Sequence, residues 1–485
     1  MSVGLHDLPG ELLSLILQQV DSPSHLHNLL VASAPCYRIF SSRRERVLSS
    51  VLQNAICVEA VHDALAVIGA PRFTQLSKHP TREDVTNFLK SYHSTPFQFP
   101  TDFKSLCALS HLLTIVEHFV TAFSTQAHRA LETLGKPYRS LPRWAWPPAP
   151  SSCRIEVALP LSVIERARLQ RAFFRFELYC RIFPQSSSRG VSLFPRADQS
   201  RLFLSRLSPW EIDEINCVHQ YLSSLVGVLV DELEDQLVGT VLSATGMKHT
   251  TPSTSTSRGS LQRIVGARHS NSPFPRDRIA DPGFGNISHL YELGDHEFVM
   301  FTTLDLCGLD VFSENEKYHQ EGYISFMCSY GIGFIYNLLL SENDRRRHLI
   351  LSHTPVQRDF FPEAVEIFYP EDNSPVIEQS QDETASSSNP GWKLVTRGDV
   401  DRKFYFGTQR AHLRDKGYVF WDAKRFQLEG LGKKIKDTMN MSQVDIKRLY
   451  QRSAKQSVED RLEHIRIPGP AWRSIIANFS LRYPD

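Results

Sequence analysis

Net charge is almost missing from this 485-residue chain: 54 Lys and Arg stand against 53 Asp and Glu, a formal balance of +1. Such a balance supplies no global attraction to nucleic acid or anionic lipid, so neither partner is expected. Cysteine is sparse and scattered. The eight, at 36, 57, 107, 153, 180, 217, 307 and 328, form no Cys-x-x-Cys pair and no close cluster, which argues against zinc and against a disulfide framework. They read as reduced core thiols. The opening residues MSVGLHDLPGE carry no basic stretch, no long apolar core and no small-residue cleavage site, so secretion is not expected and a cytoplasmic or nuclear location is. Internal repeats are missing as well, which removes propellers, leucine-rich horseshoes and ankyrin stacks.

Catalytic signatures are equally scarce. The stretch EGLGKKIKDT has a phosphate-loop flavour, but Gln427 occupies the place of the first glycine and Lys434 that of the Ser or Thr, so neither the loop nor the hydroxyl chemistry is available. Gly283-Phe-Gly285 and Gly331-Ile-Gly333 lack a third glycine and the strand–turn–helix setting of a dinucleotide site. Asp295-His296-Glu297 offers too few ligands for a metal and reads as a solvated turn. His348 and His353 are five apart, which suits neither one helical face nor a zinc pair. The expectation is a non-enzyme without cofactor or metal; a catalytic site between Gly283 and Tyr369 would require His296, Glu297, Asp305 and His319 to converge.

What is present is ordinary globular material, 41% apolar and 22% charged, at about three times the usual domain length, which implies two or more cores. Charge is segregated along it. Residues 1–239 hold 23 Lys and Arg against 22 Asp and Glu, residues 240–392 hold 11 against 20, and residues 393–485 hold 20 against 11. The local balances are therefore +1, −9 and +9, and the last two either attract each other within the chain or present separate surfaces. The expected layout is an N-terminal unit at 5–45, a helical domain at 46–239, a Ser/Thr/Pro-rich linker at 240–286, an apolar, partly helical segment at 287–370, an acidic linker at 371–392 and a basic C-terminal segment at 393–485. Both linkers carry too few apolar residues to offset the entropy of ordering, and both offer Ser and Thr for phosphorylation.

The helical signal is clearest after Ser162, which with Glu165 makes a capping box. Leu169, Ala172, Phe173, Phe176, Tyr179, Cys180 and Phe183 follow at helical spacing and form a core stripe. Arg168, Arg171 and Arg175 ride the other side and read as a solvated face. Ser208-Pro209-Trp210-Glu211 starts a second helix, expected to run to about Leu233. RWAWPPAPSS, residues 143–152, is a rigid non-helical connector. Gly417 reads as a left-handed helix cap followed by a strand at Tyr418–Trp421, giving a mainly α fold with an α+β C-terminal part. Gly322–Leu340 is uncharged for 19 residues ahead of Arg345-Arg346-Arg347; a buried helix accounts for it more economically than a membrane span.

Leucine, isoleucine and valine are packed densely in LPGELLSLILQQVDSPSHLHNLLVAS, residues 8–33. Pro9 fits a first helical turn and Glu11 suits the positive end of the dipole. The helix should run to about Val20, with Leu12, Leu13, Ile16, Leu17 and Val20 forming a stripe wider than one neighbour can cover. Asp21-Ser22-Pro23-Ser24 turns the chain, Leu26, Leu29 and Leu30 mark a second helix, Ala34-Pro35 breaks it, and Tyr37, Ile39 and Phe40 open a third. A unit of this size is marginal alone, so part of the stripe needs a cover.

Leu8-Pro9-x-Glu11-Leu12-Leu13-x-x-Ile16-Leu17, the Ser22-Pro23 hinge, Leu26-x-x-Leu29-Leu30 and the pair Tyr37 and Phe40 together resemble the F-box, over residues 5–45. Tyr37 stands where that family often has Trp. The remainder matches no substrate-reading repeat, and the whole is similar to the F-box-like proteins of filamentous fungi. The resemblance implies a short helical bundle that docks on the small adaptor subunit of a cullin-RING (SCF-type) ubiquitin ligase, with the rest of the chain recruiting an unidentified protein substrate. Carried over by position, Leu8, Pro9, Glu11, Leu12, Ile16 and Leu17 face the adaptor. The competing expectation is a non-catalytic scaffold whose N-terminal helices only complete its own core.

Overall fold

Helix starts written into the sequence lay out the molecule. A computed structural model describes residues 8–71, 81–132, 160–183, 194–244, 324–351, 360–368, 384–396, 410 and 413–440. Helix takes 79% of these and no strand forms among them, so the described fold is mainly α. At the N-terminus α1 (Gly10–Gln18), α2 (Pro23–Ala32) and α3 (Ala34–Ser42) follow in quick succession. The Ser22 hydroxyl accepts from the Ser24 N–H ahead of α2, with Pro23 at the first helical position. Ala34-Pro35 does more than break α2: Ser33 ends it in extended conformation and caps α3 through the Cys36 N–H. The proline then sits in a first turn, where its missing N–H costs nothing.

Helix α4 (Arg44–Ala55) follows. Its Asn54 donates to the carbonyls of Gln18 (2.8 Å) and Val20 (3.2 Å). These are acceptors that the end of α1 leaves unsatisfied, so α4 both closes that helix and ties the unit to the body.

The body contains α5 (Val58–Gly69), α6 (Arg82–Ser94), α7 (Phe103–Glu132), α8 (Val163–Ile182), α9 (Arg196–Leu202) and α10 (Pro209–Ala244). The expected box at the start of α8 is formed, with Ser162 N–H donating to Glu165 Oε2 (3.0 Å) and Glu165 N–H to Ser162 Oγ (3.2 Å). Ser208 N–H likewise donates to Glu211 (2.9 Å) at the head of α10. Helix α10 runs to Ala244, past the expected end near Leu233 and into the first residues of the expected linker at 240–286.

The core stripe of α8 is buried along its whole length. Helices α5, α7 and α10 pack around it, joined by α11 (Gly331–Leu340). Beyond it lie α12 (Asn343–Leu351), α13 (Phe361–Phe368), α14 (Pro390–Val395), α15 (Ala423–Leu428) and α16 (Leu431–Met439).

Two expectations need correction. The apolar run ending at Leu340 is not one helix: a helical run at 324–328 ends in a turn, and Gly331, at φ +85°, starts α11 in a new direction. The Glu177 carboxylate of α8 fills the space where a Gly331 side chain would stand and accepts the Ile332 N–H (2.8 Å). Among the described residues, the helix long and apolar enough to cross a membrane, by length and composition alone, is Phe103–Leu131 within α7. Its Leu106, Leu109, Leu113, Val116, Val120, Phe123 and Ala127 recur at helical spacing and are buried in the core.

The strand at Tyr418–Trp421 is also not formed. Gly417 is left-handed as expected, at φ +59°, but the chain continues through turns. All four residues are buried. The backbone acceptors find side chains where a sheet would supply N–H groups: Asn389 donates to the Val419 carbonyl, and Arg168 to those of Phe420 and Trp421 (3.4 Å each). With its acceptors met this way, the segment needs no neighbouring strand.

Candidate docking face and the charged core behind it

Adjacent leucines on α1 point about 100° apart, and this splits the apolar stripe. Leu13 and Leu17 turn inward (3% and 0% exposed) and join Leu26 of α2, Cys36 of α3 and Val47 and Val51 of α4 in the hydrophobic core. Leu12, Leu15 and Ile16 remain 46%, 53% and 41% exposed. At i, i+3 and i+4 these three share one face of α1. Leaving each in water forgoes on the order of 1 kcal/mol, part of what full burial returns.

The six expected adaptor-facing residues therefore separate. Leu12 and Ile16 lie on the outer face, Glu11 is exposed in the first turn and Pro9 is exposed at the N-cap. Leu8 is half-buried against the core. Leu17 is a correction: it belongs to the interior, because α3 and α4 cover its side of α1. Leu15, which the motif spacing leaves unmarked, completes the outer face; its place three residues after Leu12 was the available signal. Val31 at the end of α2 and Tyr37 on α3 are further exposed apolar side chains. Gly10 brings α1 close to α3, since a side chain there would meet Ile39 at 3.0 Å.

Behind this unit the body is held by buried charge, and the expectation of a solvated arginine face on α8 is overturned. Arg168 and Arg171 are 0% and 1% exposed. Arg171 Nη2 makes a two-point contact with Glu214 (3.0 and 2.8 Å). Arg175 bonds Asp63 (3.0 Å) and Glu211 (2.7 Å), and Asp63 also accepts from Tyr92. Periodicity assigned α8 a single buried side, whereas beyond its first turn its neighbours cover nearly every side. The complementary signal was PWEIDE, which places Glu211, Asp213 and Glu214 within four residues.

The basic C-terminal segment finds its described partners here. Asp213 accepts from Arg410 (3.1 Å), Arg414 (2.9 Å) and the Tyr418 hydroxyl. Glu165 takes Arg425 at two points (2.7 and 2.8 Å) and the Asp422 N–H (3.2 Å). Burial works against the charge of Asp213, yet Arg410 and Arg414 hold its carboxyl below the ordinary range. Glu211 behaves alike: burial opposes ionisation, and Arg175 with Arg171 brings it to about 2. Glu214 goes the other way, raised by a burial that Arg171 does not fully offset. Among the described residues no group of three or more His, Cys, Asp and Glu is placed to hold a metal ion. The residues of the alternative catalytic reading, His296, Glu297, Asp305 and His319, lie outside the described residues, as do the connector at 143–152 and most of both linkers.

The fold and the exposed face define a mainly α protein with an N-terminal three-helix unit that keeps one apolar side exposed among the described residues. The sequence matches no family model and no curated protein, and the fold matches no solved structure.

Proposed function

We propose that the chain is an F-box-like adaptor, the substrate-recruiting subunit of an SCF-type cullin-RING ubiquitin ligase, acting in the cytoplasm or nucleus without a catalytic role of its own. The observation that carries this reading is the outer face of α1. Leu12, Leu15 and Ile16 are exposed on a unit whose internal packing is already complete through Leu13, Leu17, Leu26 and Cys36. The unit docks this face on the small adaptor subunit, as an amphipathic helix docks in an apolar groove. The helical body holds a protein substrate close to the ubiquitin donor, and the rate gain comes from proximity. Nucleic acid, membrane and cofactor have no part in it.

Deleting residues 1–45 is a blunt test, because it also removes Leu13, Leu17, Leu26 and Cys36 from the core. The double variant Leu12→Glu/Ile16→Glu is sharper. Affinity purification from a eukaryotic extract should recover the adaptor subunit with the wild-type chain and lose it with the variant, while both melt at the same temperature. The second reading, a scaffold whose N-terminal helices serve only its own core, is favoured by the burial of Leu13 and Leu17 in the general core. It is the answer if neither protein retains the adaptor and the double variant unfolds.

A further inference from the structure

In the described turn before α14, at the end of the acidic, Ser-rich stretch, one exposed serine hydroxyl also meets a buried arginine. Ala385, Ser387, Ser388 and Asn389 are buried, whereas Ser386 between them is exposed. The turn that carries it is fixed. The Thr384 N–H donates to Ser387 Oγ (2.9 Å), Arg168 Nη2 donates to the Thr384 carbonyl (3.0 Å), and Asn389 Oδ1 caps α14 through the Trp392 N–H (2.8 Å). At its inner end Ser386 Oγ accepts from Arg171 Nη1 at 3.3 Å. This is a long contact to an uncharged acceptor for a guanidinium that is almost wholly out of water.

We propose that Ser386 is a phosphoacceptor whose phosphate is received by Arg171, clamping the 384–389 turn to α8. In the transfer the Ser386 hydroxyl oxygen attacks the γ-phosphorus of ATP bound to a protein Ser/Thr kinase. The new O–P bond replaces the bond to the departing ADP, and the hydroxyl proton passes to the kinase base. Exposure makes Ser386 reachable, and the fixed turn presents the product to the arginine. The long contact to a neutral hydroxyl gives way to one in which both partners are charged, typically about 2.7–2.9 Å. Phosphate adds about two negative charges, and the nearby carboxylates oppose it. Glu211 stands 3.7 Å from Arg171 but 2.7 Å from Arg175, its closer partner. Glu214 shares Arg171 directly, and burial raises its carboxyl above the ordinary value, so the added phosphate charge raises it further. Residues 371–389 contain no Lys or Arg, which points to an acid-directed kinase.

The full-length chain is prepared with phosphoserine incorporated at position 386 and, separately, at buried position 388. With phosphoserine at 386 the thermal midpoint rises by about 2 °C or more, and the phosphorus-31 titration midpoint falls below the ordinary value of about 6. At 388 the same group lowers the midpoint. A kinase chosen because it phosphorylates the free peptide 380–392 modifies the folded chain at 386 in preference to 387 and 388, read by peptide mass. A phosphate at 386 that titrates at the free value or lowers the thermal midpoint overturns the receiving site. A folded chain left unmodified at 386 overturns the acceptor.

Discussion

Arg171 and its neighbours show what a buried charge demands at the scale of one residue. Removing one partner from such a pair strands the other and costs about 3–5 kcal/mol, even where the pair as a whole adds little net stability. The carboxylates on α10 consequently govern the response to acid. Glu211, held at about 2 against an ordinary value of 4.5, contributes stability that is fully present above pH 4.5 and is lost as the pH falls toward about 2. Asp213, also lowered, contributes in the same direction. Glu214, raised by burial, has the opposite sign: the folded chain takes up its proton at higher pH than the unfolded chain, so its contribution is present at low pH and fades as the pH rises. Denaturant titrations between pH 5 and pH 2 should therefore lose stability in the wild type and show a flatter dependence in Glu211→Gln. An equal slope in both proteins would locate the acid sensitivity elsewhere.

At the scale of the element, the chain was most legible where a helix begins. Ser162 with Glu165 and Ser208 with Glu211 specify their starts locally, through hydrogen bonds within three residues, and both form as expected, while α2 begins at Pro23, inside the stretch expected as a turn. Legibility failed where the deciding partner is distant in sequence. Nothing near Tyr418–Trp421 reveals that Asn389 and Arg168 will satisfy its carbonyls, so an apolar burst after a left-handed glycine reads as a strand. The arginines of α8 were misplaced for the same reason, since their carboxylates come from other helices.

Helix α1 lies between these cases. Its apolar width was visible, but which leucines turn inward depends on where α3 and α4 sit. That division has a measurable consequence. Leu17→Ala should cost about 2–5 kcal/mol by leaving a cavity beneath α3 and α4, whereas Leu12→Glu should stay within about 0.5 kcal/mol. Urea unfolding of the two single variants tests the assignment, and a large loss from Leu12→Glu would mean that the outer face is covered after all.

For the whole molecule, the charge segregation along the sequence suggested an acidic middle and a basic tail as natural partners or as separate surfaces. In the described residues the tail's arginines instead enter the helical body, where Arg410 and Arg414 meet Asp213 and Arg425 meets Glu165. Tyr418, Phe420, Trp421, Leu431 and Ile435 are buried alongside them. The described residues between 384 and 440 are thus part of the body's core, although the sequence reads them as linker and appended segment. A chain ending at residue 383 would leave Asp213 and Glu165 as unpaired charges in an apolar setting, at about 3–5 kcal/mol each. That is comparable to the roughly 5–15 kcal/mol by which whole domains are stable. The shortened chain should lose near-ultraviolet circular dichroism, bind an apolar dye and aggregate. Adding Asp213→Asn and Glu165→Gln to it should recover part of its solubility, because the stranded charges are then gone. A shortened chain that unfolds as sharply as the full one, or gains nothing from the two neutral substitutions, would show that the body does not depend on the buried ion pairs.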